Sequence, residues 1–412
     1  MSQPNTNSNN PYVCNTLMLS HVWRSLPASR HHAWTCSAGS RGYCATKDML
    51  QNGIHGHTLL IESKDLREVE DGGSSKEGDC CLVYDFYEYL HTFNKYKDHI
   101  PPTTSRITVY TNRTGLPRSF LVGTCGITSV DLTNLSHIYE LQVSFLADCT
   151  GLTTLDLSSF KMLRRVWAAF LRGCSGLTTV ELSPLCHLVE IDALFLADCT
   201  GLTAVDLSPL SQVTKVGGSF LARCTALTAI DLSPLSNVMD LQGSFLQGCT
   251  GLSSLNLTAL SQLEVIHMDF LSGCAGLKSV DLTPLSKVRV VSVGFLSGCS
   301  GLTSLDLTPL SQLSKVEESF LYGCSGLTTI NLSPLSQVTE VDEFFLGLCT
   351  GLSEVDLSAL DKVSSIACGM CAESPGVTFI TNPPPLCYTP PEDWALDTQL
   401  AGPRWVRRVE EE

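Results

Sequence analysis

From residue 120 onward, apolar and polar positions recur with one period of 25 residues. Phe stands at 120, 145, 170, 195, 220, 245, 270, 295, 320 and 345, always followed by Leu, which makes ten copies without an insertion. With Phe as position 0, nine copies carry Cys at position 4, from Cys149 to Cys349. Those copies carry Gly or Ala at 6, Leu at 7 and 12, and Val, Leu or Ile at 10, 18 and 21, while Leu or Phe fills 15. A fixed period of this size marks a stacked repeat architecture.

Two stretches in each unit alternate as half-buried strands do. The first is L-x-x-[LVI]-x-L, as in Leu202-x-x-Val205-x-Leu207, and it ends at Ser/Thr-Pro because Pro cannot donate to a ladder. The second, such as Val213-x-x-Val216, runs into the Phe-Leu pair. Phe-Leu-x-x-Cys-x-Gly predicts one tight helical turn stopped by Gly. The fold class that follows is a repeat solenoid, with strand, turn, strand and short helical turn in each 25-residue coil and parallel sheets between coils.

The order C-x-x-L-x-x-[LVI]-x-L-[ST]-P-L-x-x-[VL]-x-x-[VI]-x-x-x-F-L resembles the Treponema-pallidum-type (BspA-like) leucine-rich repeat. It is especially similar to the Phe- and Cys-rich versions of unicellular parasites, including trypanosomatids. The likeness covers Phe120 to about Ile366, with a longer unit than is usual and Phe-Leu where Ala-Phe is common. It implies a leucine-rich repeat that binds a partner.

The flanks divide the rest of the chain. Residues 1–79 are polar, without sustained period, and read as a low-complexity or disordered extension. Residues 80–119 read as an N-terminal cap, with CCLVYDFYEYLHTF expected to pack as a helix over the first coil. Ten repeats occupy 120–369, a C-terminal cap 370–387, and a flexible tail 388–412.

Charge narrows the partner. The chain carries a net −15, and residues 120–369 hold 23 acidic against 11 basic side chains. An acidic solenoid repels phosphate backbones, so we expect no nucleic acid. No apolar run reaches the length of a membrane span. The nine cysteines in register read as buried reduced thiols, small hydrophobes within the core, which with no secretory leader points to an intracellular and foremost cytoplasmic location. The first acid is Asp48, preceded by Arg24, Arg30, Arg41 and Lys47, a composition that also admits mitochondrial import.

Reacting groups are scarce. Cys36, Cys44, His55, His57, Cys80 and Cys81 lack zinc spacing, and Cys368-x-x-Cys371 replaces ordinary repeat positions. No nucleophile elbow, phosphate loop, zinc-protease or dinucleotide motif occurs, so we expect neither an enzyme nor a cofactor. The sequons at Asn112, Asn134, Asn256 and Asn331 follow from the repeat's own [DN]-L-[ST]. The acidic row at position 11, Asp131 to Asp356, reads as a solvated face screened by the hydroxyls at 13.

Specificity in a repeat must lie in its variable positions, here 19, 20, 22 and 23 on the second strand. Position 20 begins Glu140, Arg165, Glu190, Lys215, Asp240, a ladder of alternating charge between coils. Trp167 at position 22 should face outward if Val166 packs inward, and Arg164, Arg165 and Arg172 are near it in sequence. Glu317, Glu318, Glu340, Asp342, Glu343 and Phe344 form an acidic group at the other end. Trp and Arg dominate interface energy, so both groups are expected to contact a protein partner. The expected function is a non-enzymatic scaffold; a cell-surface adhesin or antigen, and an adaptor recruiting other machinery through its N-terminal region, are the alternatives. Oligomeric state has no signal in the sequence.

Overall fold

The computed structural model describes residues 115–363 except 117 and 134, together with the strands 58–62, 79–84, 106–111, 365–366, 378–380, 394–397 and 404–407. The repeats form a solenoid of stacked coils. Each coil contributes a two-residue second strand at positions 20 and 21, and these strands pair in parallel and in register in groups of two or three coils: Glu140 faces Arg165, Glu190 faces Lys215, Lys215 faces Asp240 and Val265 faces Val290. Position 21 is buried throughout the described coils, as at Val166, Ile191 and Val216, because successive strand residues point to opposite faces. The first stretch is a laddered strand only near the ends, at Ser129–Asp131, Thr154–Leu155 and Glu354–Asp356. Between them it stays extended, with single tethers such as Thr203 N–H to the Thr178 carbonyl, 2.9 Å.

The helical turn lies elsewhere than the sequence suggested. A 3-10 turn forms at Ser/Thr-Pro-Leu, for example Ser208–Leu210, with Leu210 buried. Pro fits there because its missing N–H falls in the unbonded first turn. The side-chain oxygen at position 11 satisfies the other donor: the Asp206 carboxylate accepts the Ser208 N–H at 2.9 Å, and the Asn256 amide oxygen accepts that of Thr258 at 2.9 Å. The acidic row is therefore a row of turn caps as well as a solvated face.

Phe-Leu-x-x-Cys is not helical. Its residues alternate into the left-handed region, as at Ser219 (φ 60°), Leu221 (φ 51°) and Arg223 (φ 58°). The reason is hydrogen bonding along the solenoid axis. Ser219 N–H reaches the Gly243 carbonyl of the following coil at 2.8 Å, and Leu221 N–H reaches the Phe195 carbonyl of the preceding one at 2.9 Å. A helix would close those groups on itself and leave the coils untied. A left-handed Leu costs about 1–2 kcal/mol, and the bonds between coils offset it.

Inside, the Phe rings stack with centroids 5.2–6.0 Å apart from Phe120 to Phe345. Beside them runs the Cys column. Each of the nine is buried and unpaired, and each Sγ donates to the carbonyl of the Leu after the preceding Phe, at 3.0–3.2 Å. In the first coil Thr124 takes this place and its hydroxyl donates to the Leu121 carbonyl.

The ends differ from expectation. Asp79–Tyr84 is a strand, not the start of a helix; it runs parallel to Arg106–Thr111 and antiparallel to Thr58–Glu62. Arg106–Thr111 in turn pairs with Ser129–Asp131. An open sheet edge presents unpaired backbone groups that a strand satisfies and a helix does not. Thr58–Glu62 lies within the stretch read as an unstructured extension. Likewise Trp394–Asp397 and Arg404–Arg407 lie within the stretch read as a flexible tail, where they form an antiparallel pair; Arg404–Arg407 also joins Thr378–Ile380. Residues 85–93, the remainder of the expected helix, are outside the described residues.

Candidate functional site

The second-strand face carries the variable side chains. Val166 is buried and Trp167 lies half-exposed on the outer side of the strand. Two neighbours hold its indole: Nε1 donates to Glu140 Oε1 at 2.6 Å, and the Arg165 guanidinium lies 4.9 Å from the ring centroid. That cation–π pairing is of the kind worth about 0.5–1 kcal/mol at an exposed site. Arg164 is exposed beside it and forms no ion pair among the described residues. Arg172 goes elsewhere. It binds Asp198 at 3.0 Å, and Arg223 binds the same carboxylate at 2.5 Å. The Arg223 hydrogen bond, foremost, holds the Asp198 carboxyl below its usual value despite partial burial.

From Trp167 a groove of about 830 Å³ crosses the face to His267 and Met268. It exists because positions 22 and 23 lose their side chains in successive coils, where Asp192 and Ala193 give way to Gly217, Gly218 and Gly243. Gly217 has no room for more, since a Cβ there would lie 2.5 Å from the Ala193 nitrogen. Over Gly243 lies the Met268 side chain, whose Cγ would be 2.7 Å from a Cβ. Met239 is 72% and Met268 58% exposed, and Val189, Val265, Val290 and Val293 are exposed on the same face. Lys215, on the lining, pairs with Asp240 at 2.9 Å, which raises the lysine pKa and lowers that of the aspartate. This pair realises the charge ladder expected at position 20.

At the far end Lys315 gathers three of the acids, Glu317 at 3.4 Å, Glu340 at 3.8 Å and Asp342 at 3.0 Å. Glu318 and Glu343 are exposed, with their backbone carbonyls bonded to Gly294 and Ser319 N–H of preceding coils. Phe344 packs edge-on against Tyr322 at 6.0 Å and stays 38% exposed. The structure thus brings Arg164, Arg165 and Trp167 to the mouth of one groove, sets Arg172 in a separate ion cluster, and partly neutralises the acidic end.

Sequence reasoning missed the groove floor and its apolar rim. A signal was present: Gly217, Gly218 and Gly243 interrupt columns that hold Trp167, Gln242, His267 and Met268 in other coils. Among the described residues no group of His, Cys, Asp and Glu could hold a metal ion, and no helix is long and apolar enough to cross a membrane. Cys36, Cys44, His55, His57, Cys368 and Cys371 lie outside the described residues.

A leucine-rich repeat protein from Eubacterium ventriosum is similar with a TM-score of 0.43 and 14% identity, over 78% of this chain and 95% of that one. The T. pallidum leucine-rich repeat protein is similar with a TM-score of 0.30 and 14% identity, over 56% and 86%. The functional domain of InlJ from Listeria monocytogenes, described as including a cysteine ladder, is similar with a TM-score of 0.35 and 18% identity, over 64% and 60%. No curated protein matches by sequence. The family model described as BspA type leucine rich repeat region (6 copies) matches residues 144–278 and 264–386, more than half of the chain. With its coil, core and repeat all of this kind, the chain belongs to the BspA-type leucine-rich repeat family.

Proposed function

We propose that the protein is a non-enzymatic scaffold that binds a protein partner on its second-strand face, with Trp167 at the centre of the contact. The observation that carries this is the position of Trp167: oriented by Glu140 and Arg165, half-exposed, at the mouth of a groove with an apolar rim. A pre-oriented aromatic beside Arg loses little entropy on binding and is the residue type that dominates interfaces. The acidic group from Glu317 to Phe344 is a second contact in this reading. Its narrower likeness, to the Phe- and Cys-rich repeats of trypanosomatids, rests on the Phe-Leu and Cys positions of the unit. We infer an intracellular, cytoplasmic location, supported by nine thiols that pack as S–H donors and so require the reduced form.

The test is capture from extract by the tagged full chain. Trp167→Ala should remove the main co-purifying protein while Tm and circular dichroism stay unchanged. Capture at unchanged affinity by a folded variant would overturn the central role of Trp167. A C-terminal tag followed by microscopy tests location; staining at the cell exterior would contradict the intracellular reading.

A further inference from the structure

In a regular repeat the exceptions stand out, and five of them meet between Glu318 and Gly347. At position 2, where the other repeats carry Val, Ala, Arg, Gln or Ser, stand Tyr322 and, one coil on, Gly347. Position 24 is left-handed in every described coil, and a bulky side chain is unusual in that region. Phe344 (φ 59°) occupies it where the others have Ser, Ala, Leu, Asp or Gly. Glu318 and Glu343 are the only charged residues at position 23. The core of the same coils keeps to the rule, with Phe320, Cys324, Phe345 and Cys349 all buried.

The exceptions build one feature. Gly347 has no side chain, and the Tyr322 ring lies over it: a Cβ there would be 2.9 Å from Tyr322 Cδ2. So placed, the ring meets Phe344 with centroids 6.0 Å apart and planes at 78°. Phe344 stays 38% exposed and Tyr322 half-buried. Two partly exposed rings near a right angle make a corner, and aromatic faces attract cations.

Carboxylates flank the corner. Glu343 precedes Phe344 in the chain, and Glu318 stands beside it one coil earlier, where the Glu343 carbonyl accepts the Ser319 N–H at 2.9 Å. Lys315 is engaged by Glu317, Glu340 and Asp342. Glu318 and Glu343 are exposed and form no ion pair among the described residues. The surroundings do not cancel them: residues 289–300, 314–325 and 339–350 hold these five acids against Arg289 and Lys315. A cationic group is steered to such a place.

Chemistry selects the cation. A hard metal ion needs several converging oxygens, and among the described residues no group of His, Cys, Asp and Glu could hold one. A lysine ammonium is a compact, strongly hydrated charge. A guanidinium is planar and more weakly hydrated; it stacks on an aromatic face while its fork reaches carboxylates. Rings and two open carboxylates on adjacent coils offer both contacts together.

The scaffold reading above makes this end of the solenoid a second contact. Resting on it, we propose that the Tyr322–Phe344 corner receives an arginine side chain from a basic segment of the partner protein, its guanidinium stacked on the rings and held by Glu318 and Glu343.

The test uses the full chain as bait for a display library of random eight-residue peptides, with a fluorescently labelled copy of an enriched peptide for affinity. The expected result is enrichment of Arg-containing sequences, and at least tenfold weaker binding once that Arg is replaced by Gln. Phe344→Ser and Tyr322→Ser leave the charge unchanged and match Ser319 and Ser297, so the fold accepts them; each should weaken binding at least tenfold. Gly347→Ala, matching Ala147 and Ala197, should weaken it several-fold by displacing the Tyr322 ring. Glu318→Gln with Glu343→Gln should cost tenfold, whereas Glu181→Gln with Asp206→Asn, two acids removed from the turn caps, should cost nothing. Enrichment of Arg-free peptides or of none, Phe344→Ser binding as wild type does, or equal losses in the two charge-removal pairs would overturn the proposal. If Trp167→Ala abolishes capture of the co-purifying protein while no Arg-containing peptide is enriched, the arginine corner is wrong and the scaffold reading stands. If neither Trp167→Ala nor Phe344→Ser alters capture, both fall.

Discussion

At the scale of single residues, the cysteines show how a chemically reactive type is made inert. Each thiol in the column donates to a carbonyl and is shielded from water, and burial raises its pKa from 9.0 to about 11 in Cys149 and about 12 in Cys249 and Cys274. The folded chain thus favours the protonated thiol. Its contribution to stability is complete below the unfolded value of 9.0 and is lost as pH rises through the folded values near 11–12. The urea midpoint should accordingly hold steady through neutral pH and fall above pH 9, with a shallower fall in a Cys249→Ala, Cys274→Ala variant. In native protein near neutral pH an alkylating reagent followed by mass spectrometry should mark the exposed Cys125 and Cys186 and spare the nine until denaturant is added. Labelling of most of the column in the native state would show that the coils open or that the thiols face solvent. Burial of this column was legible in the sequence because Cys keeps a fixed register with the apolar Phe, Leu and Leu at positions 0, 1 and 7 in each of the nine copies. The S–H bond to a carbonyl 28 positions earlier was not, since it depends on the left-handed Leu that aims that carbonyl inward.

At the scale of the element, the coil is a set of turns more than a pair of strands. The Ser/Thr-Pro-Leu turn needs a cap, and position 11 provides it as Asp, Glu or Asn alike, because an Oδ1 or Oε1 acceptor is all that the N–H requires. Asp231 accepts both the N–H and the hydroxyl of Ser233 at 2.9 Å, and these bonds, the backbone one foremost, hold its carboxyl below the usual 3.8. The folded value is depressed, so this contribution is present above pH 3.8 and is lost as pH falls through the lower folded value. Asp231→Asn should therefore keep the Tm at neutral pH and remove part of its acid sensitivity, while Asp231→Ala should lower the Tm at neutral pH. Equal Tm values for wild type and Asp231→Ala would show that the cap is dispensable. The periodic pattern disclosed the 25-residue coil and the outward side of Trp167, because both follow from which side chains are apolar. It did not disclose where the helical turn sits. Phe-Leu-x-x-Cys-x-Gly and Ser-Pro-Leu both permit one locally, and the choice is made by bonds to the coils above and below. Nor does a run of missing side chains, as at Gly217 and Gly218, announce a groove until the coils are stacked.

At the scale of the molecule, a solenoid is a one-dimensional stack whose ends need different treatment from its middle. Each inner coil is covered by two neighbours, so ten nearly identical sentences give one continuous core from Phe120 to Phe345. The first-stretch sheet would end at Arg106–Thr111 with one edge open; Asp79–Tyr84 pairs with all six of its residues and Thr58–Glu62 then turns antiparallel. An antiparallel outer strand breaks the parallel register that another solenoid end would need in order to continue the stack. The sequence could not show this, because an aromatic, β-branched stretch such as CCLVY satisfies helix and strand patterns alike until an edge is there to pair with. A chain beginning at Lys95 loses both strands and exposes the Arg106–Thr111 edge. The coils from Phe120 onward keep their own neighbours, so their unfolding should remain cooperative, at a lowered midpoint. The uncovered edge should at the same time promote association through strand pairing. Light scattering against concentration separates the two effects: monomeric full-length protein beside a self-associating shortened chain is the expected outcome. If the shortened chain has no cooperative transition at all, the end strands belong to the folding unit of the repeats. If it unfolds at the full-length midpoint and remains monomeric, they protect nothing, and the antiparallel strands have no capping role.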